Sequence, residues 1–233
     1  MSPTILITGA DQGLGLALAK RFSKAGFTVF AGQYMLGSKD LANLRPETGT
    51  LHAVPLDVTL DASVETAFEK VAGLASSLDI LINNAAIHPQ ASNNELPEVD
   101  FDTMVETFAV NTIGPLRVAK QFLPLLLQGE KKLLINISSE AGSIADCRRK
   151  AEYDYCMSKA ALNMQSKILQ NYLMDQGIKV LAVHPGWMRT AMGGPDADIS
   201  AEEAAEAIFN LADDPPGMEE PIYWDYRRQP LRW

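Results

Sequence analysis

Six short apolar runs, separated by stretches with helical spacing, constrain this chain more than any other feature. They are TILIT (4–8), TVFAG (28–32), LHAVPL (51–56), DILIN (79–83), LLINIS (133–138) and KVLAVH (179–184). Their apolar character is nearly continuous rather than alternating, as in strands buried on both faces of a parallel sheet. Between them, LGLALAKRFSKAG, DASVETAFEKVAGLA, FDTMVETFAVNTIGPLRVAKQFLPLLL and YDYCMSKAALNMQSKILQNYLMDQ repeat apolar residues at helical intervals. Gly26, Gly129 and Gly177 stand where these helices should stop. Pro115 and Pro124 should kink or split the third stretch. Ser200 followed by Glu203 reads as a capping box opening AEEAAEAIFNLA, and EPIYWDY offers a further edge strand. Strands alternating with helices imply right-handed crossovers and a doubly wound parallel α/β sheet with helices on both faces. The sequence shows no repeat, low-complexity tract or linker, so a single domain over 1–233 is expected. The polar loops near 86–98 and 140–152 read as long insertions, and long loops in compact domains tend to be functional.

Composition narrows the partners. Of 233 residues 47% are hydrophobic, enough for a sizeable core, and 20 basic against 29 acidic residues give a net charge of −9. That balance argues against nucleic acid or an anionic membrane surface as a partner, since both select basic patches. The two cysteines, Cys147 and Cys156, form neither a disulfide framework nor a metal-ligand spacing. His52, His88 and His184 likewise lack metal-ligand spacing to a His, Cys or carboxylate, so no metal is expected. The segment MSPTILITGA has no signal-peptide pattern, and no run approaches ~18 apolar residues. A cytoplasmic protein is expected.

The first apolar run leads into TGADQGLG, with Thr8, Gly9, Gly13 and Gly15 just ahead of a helix. Glycines let the backbone turn sharply and approach an anion, and a helix N-terminus offers unpaired N–H groups and a positive dipole end. A dinucleotide diphosphate fits there, at the carboxyl end of the first strand of a Rossmann-type sheet.

Several motifs in order now point to one family. TGADQGLG (8–15), LDV (56–58), NNAA (83–86), Asn111 in VNTIG, INISS (135–139), YCMSK (155–159) and HPGWMRT (184–190) together resemble the short-chain dehydrogenase/reductase family over nearly the whole chain. Within it, YCMSKAALNM and HPGWMRTAMGGPDADIS resemble the branch of C-factor-like proteins and sniffer-type carbonyl reductases. The resemblance implies a catalytic set of Asn111, Ser139, Tyr155 and Lys159. Tyr155 would be the acid/base and Lys159 would lower the phenol's pKa while holding the nicotinamide ribose. Ser139 would bond the substrate carbonyl, with Ser138 the less favoured hydroxyl, and Asn111 would anchor a relay water. Cofactor contacts would come from Thr8, Gly9, Gln12, Gly13, Leu14 and Gly15 at the turn. Others would come from Gln33, Tyr34, Asp57, Val58, Asn83 and Ala85, and from Pro185, Gly186, Met188 and Thr190 at the nicotinamide end. Trp187 would touch substrate, opening a lid over about 187–200. The long helices at about 100–128 and 153–175 would form a homodimer or homotetramer.

The residue chemistry agrees with this reading. Hydride transfer to a ketone builds negative charge on oxygen, so a positioned proton donor lowers the barrier. A phenol of pKa ~10 needs a nearby cation to ionise readily, and one helical turn puts Lys159 on the face of Tyr155. The substrate would be a small carbonyl or secondary alcohol.

Three departures from the family pattern stand out. Ala86 replaces a usual glycine, and the spacing from Ser139 to Tyr155 is longer than usual, which would reshape the substrate mouth or simply extend the surface. Gln33, where an acid would select NAD, Tyr34, where arginine would select NADP, and Gln12 are all neutral. Lys39 is the nearest cation. The missing acid leans the choice to NADP(H) over NAD(H). Two other functions stay open: a dinucleotide-sensing signalling protein, and a non-redox dehydratase or epimerase.

Overall fold

The computed structural model describes residues 2–35, 37–44 and 48–233. Seven parallel strands form one sheet in the order β3-β2-β1-β4-β5-β6-β9. They are β1 (Thr4–Ile7), β2 (Thr28–Gln33), β3 (Thr50–Pro55), β4 (Ile80–Asn83), β5 (Leu133–Ile137), β6 (Lys179–His184) and β9 (Tyr223–Asp225). The continuous apolar runs are explained by what lies on the two faces. Side chains alternate across a strand, so Ile5, Ile7, Ile80, Ile82 and Ile135 pack on one face. Leu6, Leu81, Leu134 and Val180 fill the other.

Helices cover both faces. α1 (Gly13–Lys24) and α7 (Ala201–Asp213) supply Leu18, Phe22, Ile208 and Leu211 to the first core. α3 (Asp61–Ala72), α5 (Gly114–Leu127) and α6 (Tyr153–Leu173) supply Val64, Phe122 and Leu173 to the second. The capping box forms as the sequence implies, with Ser200 Oγ accepting from the Glu203 amide at 3.1 Å and the Ser200 amide donating to Glu203 Oε2 at 2.7 Å. EPIYWDY does add a strand, β9, paired parallel to β6 at the sheet edge. No described helix is long and apolar enough to cross a membrane.

The third helical stretch is divided. α4 (Phe101–Phe108) runs into a wide turn over Ala109–Ile113, where the Gly114 amide donates to Ala109 O five residues back, and α5 follows. Pro115 sits at the start of α5, where its missing N–H costs nothing, so the break falls just before it. Pro124 lies inside α5 without ending it. Elements too short to show a period escaped the sequence reading. These are α2 (Lys39–Asn43), capped by Ser38 Oγ, and the two-residue strands β7 (Met188–Arg189) and β8 (Ile199–Ser200), which pair with each other.

β1 lies between β2 and β4, so consecutive crossovers leave in opposite directions there, which is where a doubly wound sheet opens a crevice. Phe122 anchors the floor of the second core, fully buried and edge-on to Phe68 at 5.5 Å. Phe122→Ala should lower the unfolding free energy by about 3–5 kcal/mol, read as a fall in the denaturant midpoint at unchanged slope.

Candidate active site

The carboxyl ends of β1 and β4 are stitched together by side chains. Thr8 Oγ1 accepts the amides of Asn84 (3.0 Å) and Ala85 (2.9 Å). The Asn84 amide group donates back to the carbonyls of Thr8 (2.9 Å) and Gly9 (3.0 Å). This leaves no room at Gly15, where a Cβ would stand 2.0 Å from Gly9 O and 2.6 Å from Asn84 Nδ2. α1 begins at Gly13 with Gln12 extended and making no side-chain cap, so its first turn presents amides without a capping side chain. A cleft of about 610 Å³ starts here, bordered by Gly9, Gln12, Gly13, Leu14 and Gly15.

Gln33 and Tyr34, both neutral, stand at the carboxyl end of β2. Gln33 is buried and turns its Nε2 to Met35 O at 2.9 Å, while Tyr34 and Met35 border the cleft. Asp11 is buried there too, its carboxylate accepting the Met35 amide at 2.7 Å. Asp57 accepts from the amide (2.8 Å) and hydroxyl (2.6 Å) of Thr59, fixing the turn that brings Asp57 and Val58 to the cleft.

At the other end α6 packs tightly against the end of β5. Ser138 Oγ donates to Asn163 Oδ1 (2.6 Å), Asn163 Nδ2 donates to Gly142 O (3.2 Å), and Asn136 Nδ2 donates to Ser166 Oγ (2.8 Å). A Cβ at Gly142 would meet the Lys159 backbone at 2.8 Å, so the approach requires glycine. Lys159 is thereby 2% exposed, its Nζ donating to Ile137 O at 2.9 Å and lying 5.7 Å from the centre of the Tyr155 ring. Both side chains border the same cleft as the glycine turn.

Burial dominates both ionisations. The Tyr155 phenol is pushed up to about 12, with a hydrogen bond to the Ser139 side chain and the Arg149 charge pulling the other way. Lys159 is pulled down to about 8 by the same loss of water. Arg149 lies in the long loop before α6, bidentate to Glu140 (2.9 and 2.8 Å) and bonded to Glu152 (2.7 Å). Its hydrogen bonds hold the Glu140 carboxyl below its usual range.

The remaining expected residues fall in several places. Ser139 is 7% exposed and caps the short turn 140–142, accepting the Ala141 amide at 3.1 Å; Ser138 borders the cleft with its hydroxyl already engaged. Asn111 sits in the wide turn after α4, its amide paired to the Ile87 backbone (2.8 and 2.9 Å) and Ser158 Oγ (3.1 Å). Asn83 lies beneath the cleft, donating to Asn136 Oδ1 at 2.9 Å. Ala85, Pro185, Met188 and Thr190 border the cleft. Gly186 has φ +90° beside Ile199 and Tyr226. Trp187 is half exposed, with its indole donating to Gly193 O at 2.8 Å. Ala86 does not need the backbone freedom of the usual glycine, since its φ is not positive.

Several bordering residues went unnamed in the sequence reading. Asn84 stood inside the quoted NNAA motif, so its signal was present. Met35, Ile87 and Met192 also border the cleft, and no spacing rule marks them. The His88 ring lies 4.3 Å from the Tyr155 ring, and its buried Nε2 has no hydrogen-bond partner. No described group of three or more His, Cys, Asp or Glu could hold a metal ion.

A glycine-lined turn and a buried Tyr–Lys pair share one cleft at the crevice of a parallel sheet, and comparison identifies the family. The short chain dehydrogenase family model matches residues 3–200, and the chain belongs to that family. Among curated relatives, C-signal of Myxococcus xanthus is 35% identical over 67% of this chain and 93% of its own length. The carbonyl reductase Sniffer of D. melanogaster superposes with a TM-score of 0.89 at 27% identity, covering all of both chains. An NADPH-bound carbonyl reductase from chicken fatty liver superposes at 0.86 with 28% identity, covering 100% of this chain and 99% of its own.

Burying Lys159 lowers its pKa from 10.5 to about 8, so below that pH the folded state carries a desolvated charge that the unfolded chain does not. The penalty is full at pH 7 and fades as pH rises from about 8 towards 10.5. Lys159→Met should therefore stabilise the protein at pH 7 by roughly 1–2 kcal/mol, net of the lost bond to Ile137 O. Thermal melts in dinucleotide-free buffer should show this gain shrinking above about pH 8.

Proposed function

We propose that this chain is a nicotinamide-dinucleotide-dependent carbonyl reductase. What carries the reading is one juxtaposition: Tyr155 and Lys159, a turn apart on α6, border the same cleft as the glycine turn and the uncapped start of α1. These residues fit a dinucleotide. The first-turn amides of α1 and Gly13 would hold the diphosphate, Asp57 and Val58 the adenine end, and Lys159 with Pro185 the nicotinamide end. When bound, the nicotinamide supplies the hydride; orientation and proton handling fall to the protein.

A phenol held near 12 keeps its proton at neutral pH, so Tyr155 is poised to give it to the substrate oxygen as negative charge builds. Ser139, a second hydrogen-bonding group beside that phenol, would hold the carbonyl. The Lys159 ammonium, almost free of water, would stabilise the phenolate left behind far more than a solvated cation could. Asn111 holds the wide turn against α6, where Thr112 Oγ1 donates to Ser158 O at 2.9 Å, and a relay water to Lys159 would be kept there. Ile87, Met188 and Met192 give the mouth an apolar lining suited to a small aldehyde, ketone or quinone.

The neutral Gln33 and Tyr34 favour NADP(H) over NAD(H), since no carboxylate at either position repels a 2′-phosphate. The NADPH-bound carbonyl reductase is like this chain in fold throughout, which supports the same choice. A second reading, a dinucleotide-sensing signal protein, has the likeness to C-signal in its favour.

The assay is oxidation of NADPH and of NADH against a panel of reactive carbonyls. Tyr155→Phe should lower kcat by about a hundredfold or more while dinucleotide Kd stays within twofold. Equal turnover by Tyr155→Phe would sink the acid/base role, and tight nucleotide binding without turnover of any carbonyl would favour the sensor. A homodimer or homotetramer is also expected, because Phe101, Val105, Leu116, Met164, Ile168 and Tyr172 leave an exposed apolar face across α4, α5 and α6. Light scattering should report a multiple of the monomer mass, reduced to the monomer by Val105→Asp with Ile168→Lys.

A further inference from the structure

The segment beyond β9 reaches back to the active-site serine. After Tyr223–Asp225 the chain reverses, with the Gln229 amide donating to Asp225 Oδ1 (2.8 Å) and the Asp225 amide to Gln229 O (2.9 Å). It then returns antiparallel along β9, where Trp224 bridges Pro230 and the Leu231 amide donates to Tyr223 O at 2.9 Å. The return ends on the loop between Ser139 and Tyr155. Trp233 stacks on Tyr223 with ring centres 5.0 Å apart and planes 17° from parallel. The Ala145 amide donates to Trp233 O at 2.8 Å, and Arg232 pairs with Asp146. Tyr223 itself is 1% exposed, and its hydroxyl donates to Ser139 O at 2.6 Å. That carbonyl also accepts the Gly142 amide at 3.0 Å, so both donors set the backbone from which the Ser139 hydroxyl projects.

We propose that the strap 223–233 is a positioning element for the carbonyl-binding end of the site: the Tyr223 hydroxyl fixes the Ser139 backbone, while Trp233 and Arg232 hold Ala145 and Asp146. The inference rests on the reading of Ser139 as the group that holds the substrate oxygen. Tyr223 touches neither substrate nor dinucleotide and acts through Ser139. The arrangement has a physical rationale in the length of this loop. Arg149 pins its far half to Glu140 and Glu152, but its near half, 143–146, has few other anchors. Within that half the Asp146 amide bonds only as far as Ser143 Oγ at 3.2 Å. Burial pushes the Tyr223 phenol up to about 12, so it stays a donor throughout the working pH range. The strap thus supplies from outside the loop the order that a longer connection loses to chain entropy, and reacting groups misplaced by even ~1 Å can cost up to about a hundredfold in rate.

The test uses Tyr223→Phe, which keeps the ring and its stack and removes only the hydroxyl, and Trp233→Ala with Trp233→Phe as the conservative rescue. Hydrogen–deuterium exchange should quicken at the amides of 141–146 in Tyr223→Phe and Trp233→Ala, and remain unchanged at the glycine turn 9–15. With a carbonyl that the wild type reduces, kcat/KM should fall about tenfold in both variants and recover in Trp233→Phe. Dinucleotide Kd should stay within twofold. Unchanged exchange at 141–146, or turnover falling in step with dinucleotide affinity, would overturn the proposal. A wild type that reduces no carbonyl would defeat the redox reading instead, and the exchange arm would still decide whether the strap holds the loop.

Discussion

A lysine ammonium kept out of water at the end of β5 is the interaction around which the site is arranged. The Lys159 Nζ donates to Ile137 O and meets almost no solvent. Desolvating a charge is costly, so the surrounding packing must hold it there, and the local bonds do so. Asn163 grips Ser138 and Gly142, Ser166 grips Asn136, and the missing Cβ of Gly142 lets the loop press on the Lys159 backbone. Each contact draws α6 towards β5, and α6 is also the helix that carries Tyr155. The same packing therefore buries both groups and drives their pKa values apart, the phenol upward and the ammonium downward.

The two ends of the cleft are built differently. At the glycine turn the side chains of Thr8 and Asn84 lace β1 to β4, and α1 starts with its first-turn amides uncapped by any side chain. At the Tyr155 end the groups are held by a helix, a loop and a strap from distant parts of the chain.

Much of this was legible beforehand. Continuous apolar runs gave the parallel strands because both sheet faces are covered, and the capping box at Ser200 and the edge strand in EPIYWDY were visible as local chemistry. The glycines of TGADQGLG announced a turn, left-handed at Gly9 and Gly13, and a close approach at Gly15 that leaves no room for a side chain. Other features were not legible. α2, β7 and β8 are too short to carry a period. Asn83 and Asn84 are adjacent and identical in the sequence, yet one lies under the cleft and the other borders it, because successive side chains at a strand end point opposite ways. The neighbours Ser138 and Ser139 divide similarly between Asn163 and the Tyr155 hydroxyl.

By itself the sequence determined which longer segments become strands and helices, where the chain turns on glycine, and that Tyr155 and Lys159 share a helix face. All of these follow from contacts within a few residues, which spacing encodes. Only the tertiary structure decided how dry those two groups are, which of two neighbouring serines stays near the phenol, and that residues 223–233 return to hold Ser139. Those outcomes depend on distant groups meeting across the sheet edge, as Tyr223 and Ser139 do from 84 positions apart, and periodicity in a linear chain carries no record of such meetings.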